Sequence, residues 1–328
     1  MARVLRREAR KSPALRRAYY AVVKGRQEAL MRLAERRSGR VGGRKRVGKV
    51  RPDRMVWIFG SGRSGSTWLR SMMGDVKRHR VWEEPMVGKL FGEFYERSQK
   101  DNRVSADFIM GDPTRRGWIL SIRNFVLDGA FYSNPGLAPD EILVVKEPNG
   151  SVGAALLMEA LPESRMILLI RDPRDVVASV LDAARKGSWL YERLDKGAAR
   201  DKQIADNKPN VFVRRRAQVL LQSITNAERA FNDHCGPKTL VRYEDLRSDP
   251  LDSMKRVYSE LDLPADADDL TRVVEKHLWE NIPKEERGQG KFHRKATPGG
   301  WREDLTLEQV RIVERTTAAF LERFYPVN

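Results

Sequence analysis

Cysteine is almost absent. Cys235 is the single one among 328 residues, so no intrachain disulfide can form, which suits a reducing compartment. Histidine is scarce as well: His79, His234, His277 and His293 are scattered, and no Cys/His group has the spacing of zinc ligands. No metal is therefore expected. Long apolar runs are missing too, since none reaches the ~18 residues needed to span a bilayer. The N-terminus is basic but lacks the apolar stretch of a signal peptide, which argues for a cytoplasmic location. A hydrophobic fraction of 41% still supports a sizeable core and excludes a disordered chain.

Acidic residues are the minority charge, 45 against 62 Lys and Arg, for a net of +17. The excess is local. Residues 1–54 hold 19 basic and 4 acidic side chains, and the remaining 274 hold 43 and 41. A charge argument for nucleic-acid binding thus fails for the body, and no aromatic stacking motif supports it in the tail. Within the tail, Leu15, Tyr19, Val22, Val23, Leu30 and Leu33 recur at roughly helical spacing among arginines, predicting a basic amphipathic helix over about Ala14–Arg37. Ser38–Arg51 is Gly-rich and unpatterned, a flexible linker. Such a helix suits peripheral contact with an anionic membrane surface, or packing on the body or on a partner subunit. The expected division is a tail over 1–54 and one domain over 55–328.

In the body, short apolar runs alternate with helical patterns. Met55–Phe59, Ile142–Val145, Met166–Ile170 and Thr239–Tyr243 read as strands. Thr67–Val76, Asp175–Ala184, about Arg214–Asn232, Leu251–Leu261 and Leu307–Phe324 read as helices. That alternation predicts a three-layer α/β/α fold with a central parallel sheet.

The first strand runs into Gly60-Ser61-Gly62-Arg63-Ser64-Gly65-Ser66-Thr67. Glycines let backbone N–H groups curl around an anion, and a helix N-terminus adds partial positive charge. The loop nearly fits the nucleotide-binding pattern G-x-x-x-x-G-K-S/T, but Ser66 occupies the lysine position, so ATP or GTP hydrolysis is poorly served. Arg63 supplies a fixed charge instead. A plain Gly/Ser-rich turn is the simpler reading.

Gly60–Leu69 resembles the phosphosulfate-binding loop of sulfotransferases that use 3′-phosphoadenosine 5′-phosphosulfate (PAPS), whose pattern is close to K/R-S-G-T-T-W/L. Arg63, Ser64, Gly65, Ser66, Thr67 and Trp68 fill it, with Ser66 replacing the first Thr. Met166–Ser179 resembles the family's 3′-phosphate element, an apolar strand followed by R-N/D-P-x-D-x-x-x-S, with Arg171 and Ser179 as its ligands. Val241–Pro250 resembles the Y-E-D-L segment, which places Tyr243 near the adenine. Arg294-Lys295 and Gly300-Trp301-Arg302 resemble the loop that closes over the 3′-phosphate, with Ala296 where the family has Gly. The resemblance runs in order over about residues 55–324.

It implies a PAPS-dependent sulfotransferase with a P-loop-like phosphosulfate loop and no obligatory metal. Gly62 to Trp68, Arg171, Ser179, Tyr243, Arg294 and Lys295 would bind the donor, with Arg63 on the bridging oxygen and Trp68 flanking the adenine. The acceptor would be a hydroxyl of a glycan, lipid or small alcohol. Cytosolic enzymes of the family place a His base after the second strand, but Pro148 stands there in Lys146-Glu147-Pro148-Asn149. Other branches use a Glu downstream of the first loop. Glu84 is the favoured base, with Glu83 and Glu147 behind it, and Lys146 bridges donor and acceptor. Variable loops over Lys89–Arg123 and Lys186–Val211 would shape the acceptor site. Two other readings stand beside this one: a P-loop kinase or NTPase with Asp172 on magnesium, and a non-catalytic sulfotransferase-like body tethered by its tail.

Overall fold

A computed structural model describes residues 50–102, 108–189, 191, 199–291 and 293–326. The tail helix and the 38–51 linker fall almost wholly outside these residues. The chain divides into two compact units, one of residues 52–124 with 141–328 and one of 1–51 with 125–140. In the smaller, the described backbone is the second half of a helix over Arg115–Ser133 and the turns after it. The larger contains the sheet.

Five parallel strands make that sheet: β1 (Met55–Gly60), β2 (His79–Glu83), β3 (Ile142–Lys146), β4 (Arg165–Ile170) and β5 (Lys238–Arg242). Their order is β2-β3-β1-β4-β5. The apolar runs reflect this placement. β1, β3 and β4 lie inside and are buried on both faces, so almost every position must be apolar. The edges carry charge. β2 reads HRVWE and β5 reads KTLVR, a mixture that discourages pairing with further strands. β2 has no sequence expectation above, because five mixed residues show neither a continuous run nor a clean alternation.

The helices that concern the site are α1 (Ser66–Asp75), α2 (Val87–Asn102), α3 (Arg115–Ser133), α4 (Ala154–Ala160), α5 (Pro173–Ala184), α6 (Ala199–Asn207) and α7 (Pro209–Asp233). After β5 come α8 (Tyr243–Ser248), α9 (Pro250–Glu260), α10 (Ala267–Lys276), α11 (Trp301–Asp304), α12 (Leu307–Thr316) and α13 (Ala318–Phe324). One sheet face, with Val56, Ile58, Val144, Ile167 and Leu169, packs on Leu69, Met72 and Met73 of α1 and on α9 and α10. On the other, α7 crosses β1 and β4 and packs on α5 and α12. Full burial of each large aliphatic or aromatic side chain here is worth about 1.5–3 kcal/mol.

Most expected boundaries shift by one or two residues, and two change further. α7 begins at Pro209 rather than near Arg214, because a proline is tolerated in the first helical turn. The expected helix 307–324 breaks at Thr317, which leaves helical geometry at φ −115°, ψ 22°. The hydroxyls of Thr316 and Thr317 donate to the carbonyls four residues back, a bond that bends helices.

Candidate active site

In a parallel sheet every strand ends at the same edge, and ligands gather there in folds of this class. That edge receives the Gly60–Arg63 loop from β1, Glu83 and Glu84 from β2, Lys146 and Glu147 from β3, Arg171 from β4 and Tyr243 from β5. Residues from 60 to 243 thus converge without any local signal linking them.

The first loop is built to present backbone. Gly65 caps α1 at φ 93°, and a Cβ there would stand 2.5 Å from the Tyr243 ring, so only glycine fits. Arg63 also has left-handed backbone, φ 69°. Ser64 is fully buried and donates to the Ser61 carbonyl at 2.6 Å, which makes it a brace of the loop. The N–H groups of Ser66 and Thr67 open α1 and have no intrahelical acceptor. Such backbone donors form the kind of cradle that can hold an anion.

Around this cradle positive charge is in excess. Arg63 Nε donates to Ser179 Oγ at 3.0 Å, and Arg171 Nη1 donates to the Arg63 carbonyl at 3.2 Å. Burial, then the charges of Arg171 and Arg294, pull the Arg63 guanidinium down to about 10. Arg171 lies over the Tyr243 ring, its Cζ 4.1 Å from the centroid, and its buried Nε has no hydrogen-bond partner among the described residues. Three crowded guanidinium groups and a buried unpaired donor fit a bound phosphate. Trp68 meets Tyr243 edge-on at 6.3 Å and donates its indole N–H to the His277 carbonyl at 2.8 Å.

The loop that carries Gly299 and Trp301 is anchored by a residue to which the sequence pattern assigned no role. Asp175 is fully buried and accepts from Gly299 N at 2.8 Å and Trp301 N at 3.0 Å. Burial pushes its carboxyl up, while Arg171 and those two N–H groups oppose the shift. Its signal was the second Asp of R-D-P-x-D. Arg174 adds a guanidinium 4.3 Å from the Trp301 ring centroid. Arg294 and Lys295 are thereby held opposite α5, across a pocket lined by Ala178, Asp182 and Arg185. Both are paired: Arg294 with Asp304, and Lys295 with Glu303 at 2.8 Å and Asp304 at 3.1 Å. Trp189, also unassigned from sequence, lies 5.4 Å from Arg63 Cζ. Asp172 caps α5, accepting from Arg174 N at 2.8 Å, and pairs with the same guanidinium. Those bonds occupy the carboxylate that the kinase reading would place on magnesium.

The three acidic candidates separate clearly. Glu147 is fully buried, with Met86 N on Oε2 at 3.0 Å and Gly88 N on Oε1 at 3.1 Å, so it clamps the strap from β2 to α2. That strap is under tension, for Glu84 and Met86 have φ values of 43° and 62°. α2 sits close behind it, since a Cβ on Gly88 would stand 2.2 Å from the Gly150 carbonyl oxygen. Glu83 accepts from Arg70 at 2.7 Å and from Lys146 at 2.8 Å. Glu84 accepts from Lys146 on Oε1 at 2.6 Å, and its Oε2 has no partner among the described residues.

Residues 56–268, about two thirds of the chain, match the model of the sulfotransferase family. The chain belongs to the sulfotransferase family. Sulfotransferase STF9 from Mycobacterium avium has the same fold at a TM-score of 0.52, with 16% identity over 84% of this chain and 78% of that one. The mouse sulfotransferase SULT7A1, solved with PAP, has a TM-score of 0.49 and 12% identity, covering 84% of this chain and 86% of that one. No curated protein matched the sequence significantly. No helix among the described residues is long and apolar enough to cross a membrane.

Proposed function

We propose that this sulfotransferase-family chain moves a sulfuryl group from PAPS to an acceptor hydroxyl, with Glu84 as general base. The observation that carries the donor assignment is the gathering of Arg171 and Arg294 near Arg63, which itself donates to Ser179, with the buried Arg171 Nε unpaired among the described residues. Ser179, Arg171, Arg294 and Lys295 would hold the 3′-phosphate. The cradle of Gly62, Ser64, Gly65, Ser66 and Thr67 would hold the 5′-phosphate, and Trp68 with Tyr243 the adenine. PAPS supplies the sulfuryl group as co-substrate, and the proposed reaction requires no metal.

Transfer needs alignment and charge stabilisation more than covalent help from the protein. As the acceptor oxygen bonds to sulfur, its proton passes to Glu84 Oε2. The bond from sulfur to the bridging oxygen breaks, and Arg63 meets the negative charge left on that oxygen. Lys146 holds Glu84 on one side and offers its charge to the sulfuryl oxygens. Glu84 is favoured over its neighbours because, among the described residues, it alone of the three has an oxygen without a partner: Glu83 has a cation on each, and Glu147 has both on backbone N–H groups. The body over 55–328 carries this chemistry and 1–54 is a basic appendage suited to an anionic membrane surface.

The test is Glu84→Gln, assayed by release of 3′-phosphoadenosine 5′-phosphate from PAPS with 2-naphthol as probe acceptor. Turnover should fall by about 10²–10⁴-fold with unchanged affinity for the bisphosphate product. Full turnover in that variant would refute the base assignment.

A further inference from the structure

Beside the proposed base, charged side chains of alternating sign form an unbroken chain. Arg70, the fifth residue of α1, places Nη2 2.7 Å from Glu83 Oε2. The other Glu83 oxygen accepts from Lys146 Nζ at 2.8 Å, and the same ammonium donates to Glu84 Oε1 at 2.6 Å. The four residues come from α1, from β2, from β3 and from the strap after β2. Backbone pairing fixes their spacing, since Glu83 and Lys146 are register partners and Glu84 N donates to the Lys146 carbonyl at 2.9 Å.

Isolated surface ion pairs contribute little to stability. This chain differs because its centre is covered: the Lys146 side chain is 6% exposed and the Arg70 side chain 25%. The two carboxylates are more open, 44% exposed for Glu83 and 35% for Glu84, so what the pairs supply is position: Arg70 holds Glu83, and Glu83 holds the Lys146 ammonium from the side opposite Glu84.

We propose that Arg70 and Glu83 are positioning residues that hold Lys146 between two carboxylates and so fix the Glu84 carboxylate where it meets the acceptor. The proposal rests on Glu84 as base and adds a link from the phosphate-loop helix α1, whose first turn bounds the donor cradle, to the acceptor side. Neither residue touches substrate in this account.

The test is kinetic, on full-length wild type, Glu83→Gln, Arg70→Gln and Arg70→Lys with PAPS and 2-naphthol as probe acceptor, after thermal unfolding confirms that each is folded. Glu83→Gln and Arg70→Gln should each lower kcat by about tenfold while KM for PAPS and affinity for 3′-phosphoadenosine 5′-phosphate stay within about twofold of wild type. Arg70→Lys keeps a cation against Glu83 and should restore kcat. Wild-type kcat in both Gln variants, a loss that appears in KM for PAPS instead, or no rescue by Arg70→Lys overturns the proposal. The two failures stay distinct: a fully active Glu84→Gln protein sinks the base assignment, whereas wild-type kcat in the Arg70 and Glu83 variants beside an inactive Glu84→Gln protein sinks only the positioning role.

Discussion

Replacing Glu147 by Gln should change how stability depends on pH more than it changes stability at any one pH. Burial raises the Glu147 carboxyl from the ordinary 4.5 to about 7. The two backbone N–H groups and Lys146 pull it down, and the Glu84 charge pushes it up. The folded state therefore holds a proton that the unfolded chain has released between these values. For a group whose folded value is raised, the stabilising contribution is complete below about pH 4.5 and is lost as pH climbs through 7. At 1.36 kcal/mol per pH unit the loss is roughly 3 kcal/mol. Gln cannot ionise, so the variant lacks this dependence. It loses one backbone acceptor, because its amide NH2 meets an N–H donor, a cost of about 1–3 kcal/mol. Urea unfolding of both proteins at pH 5, 6, 7 and 8 reads the difference directly, and histidines common to both cancel. The wild type should be the more stable at pH 5 and should lose roughly 3 kcal/mol of that advantage by pH 8. Parallel stability curves would refute the reasoning.

Gly65→Ala should lose donor binding, since the new methyl meets the Tyr243 ring at 2.5 Å from a backbone at φ 93°. The check is a calorimetric titration with 3′-phosphoadenosine 5′-phosphate, with a drop in affinity of tenfold or more expected. Ala296→Gly should act in the opposite sense: Ala296 has φ 53° where the resembling family has Gly, so relief of left-handed strain should add about 1 kcal/mol in urea unfolding. Asp175→Asn replaces one of the two acceptors that hold Gly299 and Trp301. Stability should fall by about 1–3 kcal/mol, and affinity for the bisphosphate should fall with it as Arg294 and Lys295 lose their anchor.

The two strand-to-helix turns to which the proposal gives the phosphates were legible in sequence because each is local. The Gly60–Trp68 loop and the Arg171 to Ser179 spacing lie within single strand-to-helix turns, where contact follows from a few residues of chain. The inner strands were legible because double burial demands unbroken apolar runs. β2 was not, since an edge strand mixes His79, Arg80 and Glu83 with only two large apolar residues. Nor was the contact of Arg70 and Glu83 with Lys146 and Glu84, whose members are up to 76 positions apart and meet only because β2 and β3 end side by side. The roles of Asp175 and Glu147 escaped for a related reason. Each carboxylate binds backbone N–H groups of a distant segment, and backbone leaves no residue-type signal.

The most direct test of the account is a thermal-shift titration of the purified protein with 3′-phosphoadenosine 5′-phosphate, beside adenosine 5′-phosphate and ATP with magnesium. At 100 times its dissociation constant a ligand adds about 2.7 kcal/mol of stability. The account predicts that the bisphosphate stabilises strongly and adenosine 5′-phosphate weakly, because only the former engages Arg171, Ser179, Arg294 and Lys295. Stabilisation by ATP–magnesium with none by the bisphosphate would contradict it.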